Sequence, residues 1–575
     1  MASTTAHLRD VARARAAAAK GRWAEAAELW RRAVERNPVN GGYWDQLAGA
    51  RWSLEDHRGA LAAYGKVLEL GSWSRDEPER ALPAEVAYRI ACCHARLSDD
   101  DRAVEMLGRA FELGFRDLER ARADDHLAPL RHAGRLDGLL GEPGQTGGER
   151  TGGERTGGER TGGGPDRDEG WRADLRLLAR EVKRRAWSPF RELPEPVFDA
   201  AVAELDHAIP GLDDGRIAIG MMKLLARLGD GHAYARYPDA DPRSHHTLPL
   251  QLYLFEEGLF VIAAHPAHPA HAELLGAQLL AIGGHPPDEV MAALDPLISR
   301  DNQWWPRHVA PTLMRQAPLL HGLGLVPDPG AVPLTVRLRG GESREVTVAA
   351  DSRWSWRGAI LPCPPGWRFL PETLPAPLPL YLRNCGALYW FEHLPERRLV
   401  YFQLNNVFDD PAEPLESFCR RLFAFIEDNP VDRLVLDLRW NGGGNTFLAM
   451  PLLHGLIACR KVNRRGGLFV IAGRGTFSAA QNTATLIERH TQAIFAGEPT
   501  GSRPNFVGET APFRLPHSGL EANVSDLYWE TSWPLDHRTW IPPEIYAPPT
   551  FEAFQANRDP AMDAILECQE HLPGW

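Results

Sequence analysis

The stretch "GRGTFSAAQNTATLIERHTQAIFAGEPTGS", Gly473 to Ser502, decides how this chain is read. It follows the apolar run "GLFVIAG", opens an amphipathic segment at Ser478, and returns to a second apolar run ending in Gly497-Glu498-Pro499-Thr500-Gly501. Short apolar runs bounded by turn residues read as buried strands, and the longer amphipathic segment between them reads as a helix. Ser478 then stands at a strand-to-helix junction, the carboxyl end of a strand where open α/β sheets place their sites. Two readings are open there. As an N-cap, Ser478 accepts a hydrogen bond from the first helical turn. As a nucleophile it keeps its hydroxyl free, and the amide of Ala479 at the helix N-terminus serves as an oxyanion donor.

Working outward, "DLRWNGGGN" (Asp437 to Asn445) directly follows the strand "LVLDL". Its three glycines let bare backbone approach a substrate carbonyl closely, so Gly442 or Gly443 would supply a second donor. Strands and helices alternate through this final third: "LVYFQLNNV", "PLESFCRRLFAFIEDN", "DRLVLDL", "TFLAMPLLHGLIA", "GLFVIAG", "SAAQNTATLIERH" and "AIFAG". That succession predicts an α/β sheet built from crossover units. Upstream, β patterns begin near Leu248. "PLQLYLFEEGLFVIAA" predicts two strands across a Glu-Glu-Gly turn, "GAQLLAIGGHPPDEVMAALDPL" strand, turn and helix, and "VPLTVRLRGGESREVTVAA" a hairpin. From Trp171 to about Tyr237 the pattern is helical and ends at "LGDGH".

The front of the chain repeats. Ala26, Trp30 and Ala33 recur as Ala60, Tyr64 and Val67, a spacing of 34, and again as Ala103, Leu107 and Ala110 after an insertion around "SWSRDEPERALP". This small-large-small pattern resembles the tetratricopeptide family, whose paired helices nest against the next pair and dock peptides or partners. An ordinary helical bundle is the plainer alternative. Between front and remainder lies "TGGERTGGERTGGERTGGG", which has no apolar residue to bury and predicts a flexible tether.

The motifs "LVLDLRWNGGG", "GLFVIAGRGTFSAAQ", "AIFAGEPTGS" and "WIPPEIYAPPTFEAFQANRDPAMDAIL", in that order, resemble the tail-specific serine peptidases, the family of C-terminal processing peptidases and tricorn protease. "LARLGDGHAYARY" and "GAQLLAIGGHPPDEV" resemble that family's helical cap and PDZ-type domain. The resemblance implies a multidomain α and α/β chain. Its parts would be helical repeats at 1–140, a Gly-rich linker at 141–170, a helical cap at 171–240, a degenerate PDZ-like β domain at 241–352, and a Clp protease/crotonase-like α/β core at 353–575. It further implies Ser478 as nucleophile, with the amides of Ala479 and Gly442 or Gly443 as oxyanion hole. The chain departs from the Ser-Lys branch, because no lysine follows Lys461. The tricorn-like branch instead implies His232 as base and a late acid, here Asp536, although Gly231 stands where tricorn has a serine. His517 and His537 are competing bases.

Composition narrows the rest. The 575 residues carry 64 Lys and Arg against 76 Asp and Glu, a net charge of −12 that, without a basic aromatic stripe, argues against nucleic acid. The first twenty residues lack an apolar core and no long uncharged apolar window occurs, so the expectation is a cytoplasmic protein with no membrane partner. Seven cysteines without CxxC spacing, and "HPAHPAH" read as a solvated loop, give no metal site, and no cofactor is expected. The expected partner is a peptide or protein substrate, with a protein partner at the repeats and oligomerisation both compatible. A peptide-binding scaffold that has lost cleavage, and a serine hydrolase or acyltransferase acting on a small metabolite, are the rival readings.

Overall fold

A computed structural model describes residues 6–73, 82–136, 165–351 and 364–568. The Thr-Gly-Gly-Glu-Arg tether and the "RWSWRG" tryptophans lie outside them. Two compact units result: Met1–Gly157 with Ser532–Tyr546 and Ala564–Trp575, and Gly158–Thr531 with Ala547–Asp563.

The first unit is helical, with α1 (Ala6–Ala19), α2 (Trp23–Arg36), α3 (Gly41–Ser53), α4 (His57–Leu70), α5 (Pro83–Arg96) and α6 (Asp100–Glu112) in succession. Side-chain oxygens stop the chain from fraying at the helix starts: Asn40 accepts from the Tyr43 amide and Asp56 from the Gly59 amide. The residues expected at the repeat positions, Ala26, Trp30, Ala33, Ala60, Tyr64 and Val67, are all buried in one cluster. Ala103, Leu107 and Ala110 are buried in a second. Alanine at the contact points lets helices approach closely while Trp30 and Tyr64 fill the space between them. Segment 532–546, read from the sequence as part of the catalytic core, packs in this unit instead. The reason is polar: Asn37 donates to the Pro543 carbonyl at 2.8 Å, Trp540 to Val39 at 3.1 Å, and Thr539 to Leu70 at 2.9 Å. The Leu70 carbonyl at the end of α4 thus finds a donor that the helix itself cannot supply.

The second unit is mixed. Helices α7 (Pro165–Arg185), α8 (Glu195–Ala208) and α9 (Asp214–Ala226) precede a short strand β1 (Tyr234–Arg236), and bury Trp171, Leu175, Phe198, Met221 and Leu225 with Leu520 and Ala522. An antiparallel sheet follows in the order β2 (Leu250–Phe255), β3 (Gly258–Ala264), β4 (Gln278–Ile282), β5 (Ala331–Arg337) and β6 (Ser343–Ala349). The hairpin expected at Gly340-Gly341 pairs Arg337 with Ser343. Helices α10 (Pro287–Leu294) and α11 (Trp304–Leu313) lie between β4 and β5 in the chain.

The central sheet of this unit contains β7 (Tyr389–Leu394), β8 (Leu399–Leu404), β9 (Arg433–Asp437), β10 (Leu468–Ala472) and β11 (Ile494–Gly497), each hydrogen-bonded to the next. Strands β8 to β11 are parallel, with Val435 beside Phe469 and Val470 beside Phe495. Their crossovers are the expected helices α12 (Leu415–Asp428), α13 (Met450–Ala458) and α14 (Ala479–His490). Both faces are covered, so "LVLD" and "LFVIA" are near-continuous apolar runs without alternation. Antiparallel β7, carrying mixed aromatic and charged residues at the sheet margin, was not legible in the sequence, nor were α11 and the small strands at 505–508 and 521–523.

Among the described residues no helix is long and apolar enough to cross a membrane.

Candidate active site

Ser478 lies at the first position before α14 with φ +54° and ψ −125°, a strained conformation for a residue with a Cβ, and its side chain makes no capping bond. The side chain is partly exposed while its neighbours Phe477 and Ala479 are buried. A cap would have spent the hydroxyl on the helix; here it is left free. The turn is held by backbone and by Thr476, whose hydroxyl donates to the Leu438 carbonyl at 2.9 Å and accepts from the Gly473 amide at 3.1 Å.

The glycine loop stands against this serine. A Cβ on Gly443 would lie 2.7 Å from the Ser478 Cβ and 3.1 Å from both its Oγ and the Ala479 amide nitrogen, and φ +119° at Gly443 independently demands glycine. The two loops are also joined directly, since the Phe477 amide donates to the Asn441 carbonyl at 3.1 Å. Of the two amides expected from this loop, that of Gly443 donates to Asn441 Oδ1 at 3.0 Å, whereas Gly442 is exposed. Beneath the loop, Arg439 is buried between Asp437 and Asp559, bonding Asp559 twice at 2.9 and 2.7 Å, and Tyr401 donates to Asp437 at 2.7 Å. This charged anchor fixes where the strand ends and the glycines begin.

His232 occupies the turn between α9 and β1. Its ring centroid is 4.6 Å from that of Phe477, the residue before Ser478, and it stacks on Phe506 at 5.7 Å. Both ring nitrogens are buried without a protein hydrogen bond of good geometry. Burial lowers its pKa, against the opposing pull of the Asp230 carboxylate and the Val507 backbone, so the ring is neutral near pH 7 and able to accept a proton. The turn itself is firmly held: Asp230 caps the His232 amide at 2.9 Å and takes both the amide and hydroxyl of Ser525, while Asn523 donates to the His232 carbonyl at 2.9 Å.

The other expected residues have partners of their own. His517 packs its ring edge-on against Trp171 at 5.8 Å, and its amide is taken by Asp174. Asp536 and His537 belong to the helical unit. There Asp536 accepts from Ser532 Oγ at 2.6 Å and from Arg538 Nε and Nη2 at 2.9 and 2.8 Å. Burial pushes its carboxyl up, but the Arg538 guanidinium outweighs that and holds it below the usual carboxylate range.

Three contributors were not singled out by sequence reasoning. Asp301 accepts from the Gly231 amide at 3.0 Å; Ser502 Oγ lies 3.5 Å from the Ser478 amide nitrogen; Trp305 stacks on Phe477 at 4.0 Å and on His308 at 5.2 Å. The tryptophans of "NQWWP" suit a packed core as well as a site, and Asp301 directly before it belongs to no pattern. Burial, followed by the Arg474 charge, lowers His308 to about 4, so this buried ring is neutral.

Among known proteins, no family model and no curated protein matches the chain. Solved structures similar to it include mature CPAF complexed with lactacystin, at 12% identity over 70% of this chain and 97% of that one, with TM-score 0.47. The photosystem II D1 C-terminal processing protease matches at 14% identity over 69% of this chain and 96% of that one, with TM-score 0.34. Tricorn protease matches at 13% identity over 70% of this chain and 36% of its own, with TM-score 0.33. These structural neighbours are tail-specific serine proteases.

Proposed function

We propose that this chain is a serine peptidase-like hydrolase that cleaves peptide bonds through an acyl-enzyme on Ser478. His232 takes the Ser478 proton, the alkoxide attacks the scissile carbonyl, and the amides of Ala479 and Gly442 hold the oxyanion. The protonated imidazole then gives its proton to the leaving amine, and water releases the acyl group by the reverse sequence. The observation that carries this reading is the Ser478 turn: a serine at positive φ, uncapped, at a helix N-terminus, with Gly443 pressed against it. Neutral His232 packed on Phe477 supports the choice of base. The helical cap, PDZ-like sheet and crotonase-type core named by the resemblance, a partner at the helical repeats, and a cytoplasmic location belong to the same proposal.

A fluorophosphonate probe tests it. Wild type labels, Ser478→Ala does not, and His232→Ala labels roughly 10²- to 10⁴-fold more slowly, the usual worth of a positioned base. Absence of wild-type labelling overturns the hydrolase reading and favours a binding scaffold. Labelling without turnover of any peptide library favours a small-molecule substrate. Asp536→Asn decides the supporting acid: slowed labelling favours that role, and wild-type labelling leaves Asp536 as the anchor of Arg538.

A further inference from the structure

Between the base-bearing turn and the nucleophile-bearing turn lies a buried carboxylate. Asp301 is 4% exposed and faces both. One oxygen, Oδ1, accepts from the Gly231 amide at 3.0 Å, the peptide immediately before His232. The other, Oδ2, is buried without a protein hydrogen bond of good geometry, and the Ser502 hydroxyl stands near enough to favour its charged form. Ser502 is fully buried, and its oxygen is 3.5 Å from the Ser478 amide nitrogen. The segment carrying Asp301 is itself pinned. Arg503 Nε donates to the Asp301 carbonyl at 2.6 Å, and Asn302 donates to the Thr500 carbonyl at 3.0 Å.

Space tells the same story. A Cβ on Gly231 would lie 2.8 Å from Asp301 Oδ1 and 3.0 Å from Phe477 Cζ. Asp301 itself closes the space that a side chain at 231 would need. A buried acid is costly unless its oxygens meet donors, and Ser502 is the hydroxyl that stands beside this one.

We infer that Asp301 is a positioning residue that ties the Gly231-His232 turn to the Ser478 turn through Ser502, setting the imidazole and hydroxyl in register. The inference rests on the Ser478-His232 reading above. Asp301 does not touch substrate; it acts through the two backbones. The charged groups around it are Asp230 on the base turn and Arg503, itself paired with Glu192 at 3.2 Å, with His232 one residue beyond the amide it holds. Burial first, with Asp230 adding to it, raises Asp301 to about 7, so the tie changes charge in the working range of a histidine base.

The test is the pH dependence of fluorophosphonate labelling in wild type, Asp301→Asn and Ser502→Ala. Asn keeps an oxygen for the Gly231 amide but loses the charge and the second acceptor. Labelling should slow roughly 10- to 100-fold, the range typical of groups that orient a reactive one. The acid limb of the profile should lose one of two ionisations. Ser502→Ala should slow labelling while leaving the Gly231 bond in place. Labelling by Asp301→Asn at the wild-type rate, or a slower rate with an unchanged profile, would overturn the inference. If Asp301→Asn does not fold, Ser502→Ala decides alone by the same criterion of rate. If wild type itself does not label, the hydrolase reading has failed and amide hydrogen exchange of Asp301→Asn judges the tie. Exchange rising together in 230–233 and 476–480 sustains it; a rise in one segment or neither overturns it.

Discussion

Asp536 and Asp301 are both buried acids, yet they do opposite work. Asp536, in the helical unit, has its oxygens filled by Arg538 and Ser532 and is held charged. Asp301, in the mixed unit, has one oxygen filled by a backbone amide and the other met only by the Ser502 hydroxyl, without good hydrogen-bond geometry, and its proton is retained to about 7. The first is an acid completed by its neighbours. The second is held between the His232 and Ser478 turns. A position in a motif therefore says less about an acid's role than the number of donors packed around it.

The largest expected effect breaks the first half of this contrast. Arg538→Met leaves Asp536 buried without its cation and should destabilise segment 532–546 by about 3–5 kcal/mol. Hydrogen exchange of that segment checks it, since a chain of two units need not unfold in one step. A loss below about 1 kcal/mol would mean that Asp536 is not sustained by Arg538.

Next comes the pH dependence of stability, where the two acids differ in sign. Asp536 has a depressed folded pKa, so its contribution is present above the unfolded carboxylate value and is lost as pH falls through the folded one. Asp301 has a raised folded pKa of about 7, so the fold holds a proton that the unfolded chain has released. Its presence should make stability fall as pH rises from the unfolded value near 4 to about 7, by an amount on the order of a few kcal/mol. Asp301→Asn should flatten that fall, and Asp536→Asn should reduce the loss on acidification. Denaturant titrations across roughly pH 3 to 8 distinguish them.

Smaller effects sharpen the geometry. Gly231→Ser should displace Asp301 or Phe477 at about 1–3 kcal/mol, the usual cost of overpacking, and slow labelling as well. Gly443→Ala meets both the positive φ and the Ser478 side chain, and should cost about as much while abolishing the approach of the loop. Arg420→Gln, which removes an exposed pair with Glu416 on α12, should change stability by less than about 0.5 kcal/mol and leave labelling untouched.

The Ser478 turn was legible because a buried parallel strand is an unbroken apolar run, a crossover helix is amphipathic, and a glycine triplet after a strand has few uses. The repeat positions were legible for a similar reason, since alanine and aromatic residues recur at fixed spacing wherever helices nest. β7 was missed because a marginal strand need not be apolar on both faces. Segment 532–546 was misplaced because its affinity for the helical unit lies in single bonds, such as Asn37 to Pro543 and Trp540 to Val39, which leave no period in the sequence.

By itself the sequence determined the alternation of elements, the serine at the strand-to-helix turn, the glycines opposite it and the histidine of the cap, because each of these depends on residues near one another in the chain. Only the tertiary structure decided that Gly443 spends its amide on Asn441, that Asp536 is saturated by Arg538, and that Asp301 reaches Gly231 across seventy residues of chain. Those outcomes depend on which donors and acceptors meet when distant segments are buried together, and a buried polar group must take whatever partner the packing brings.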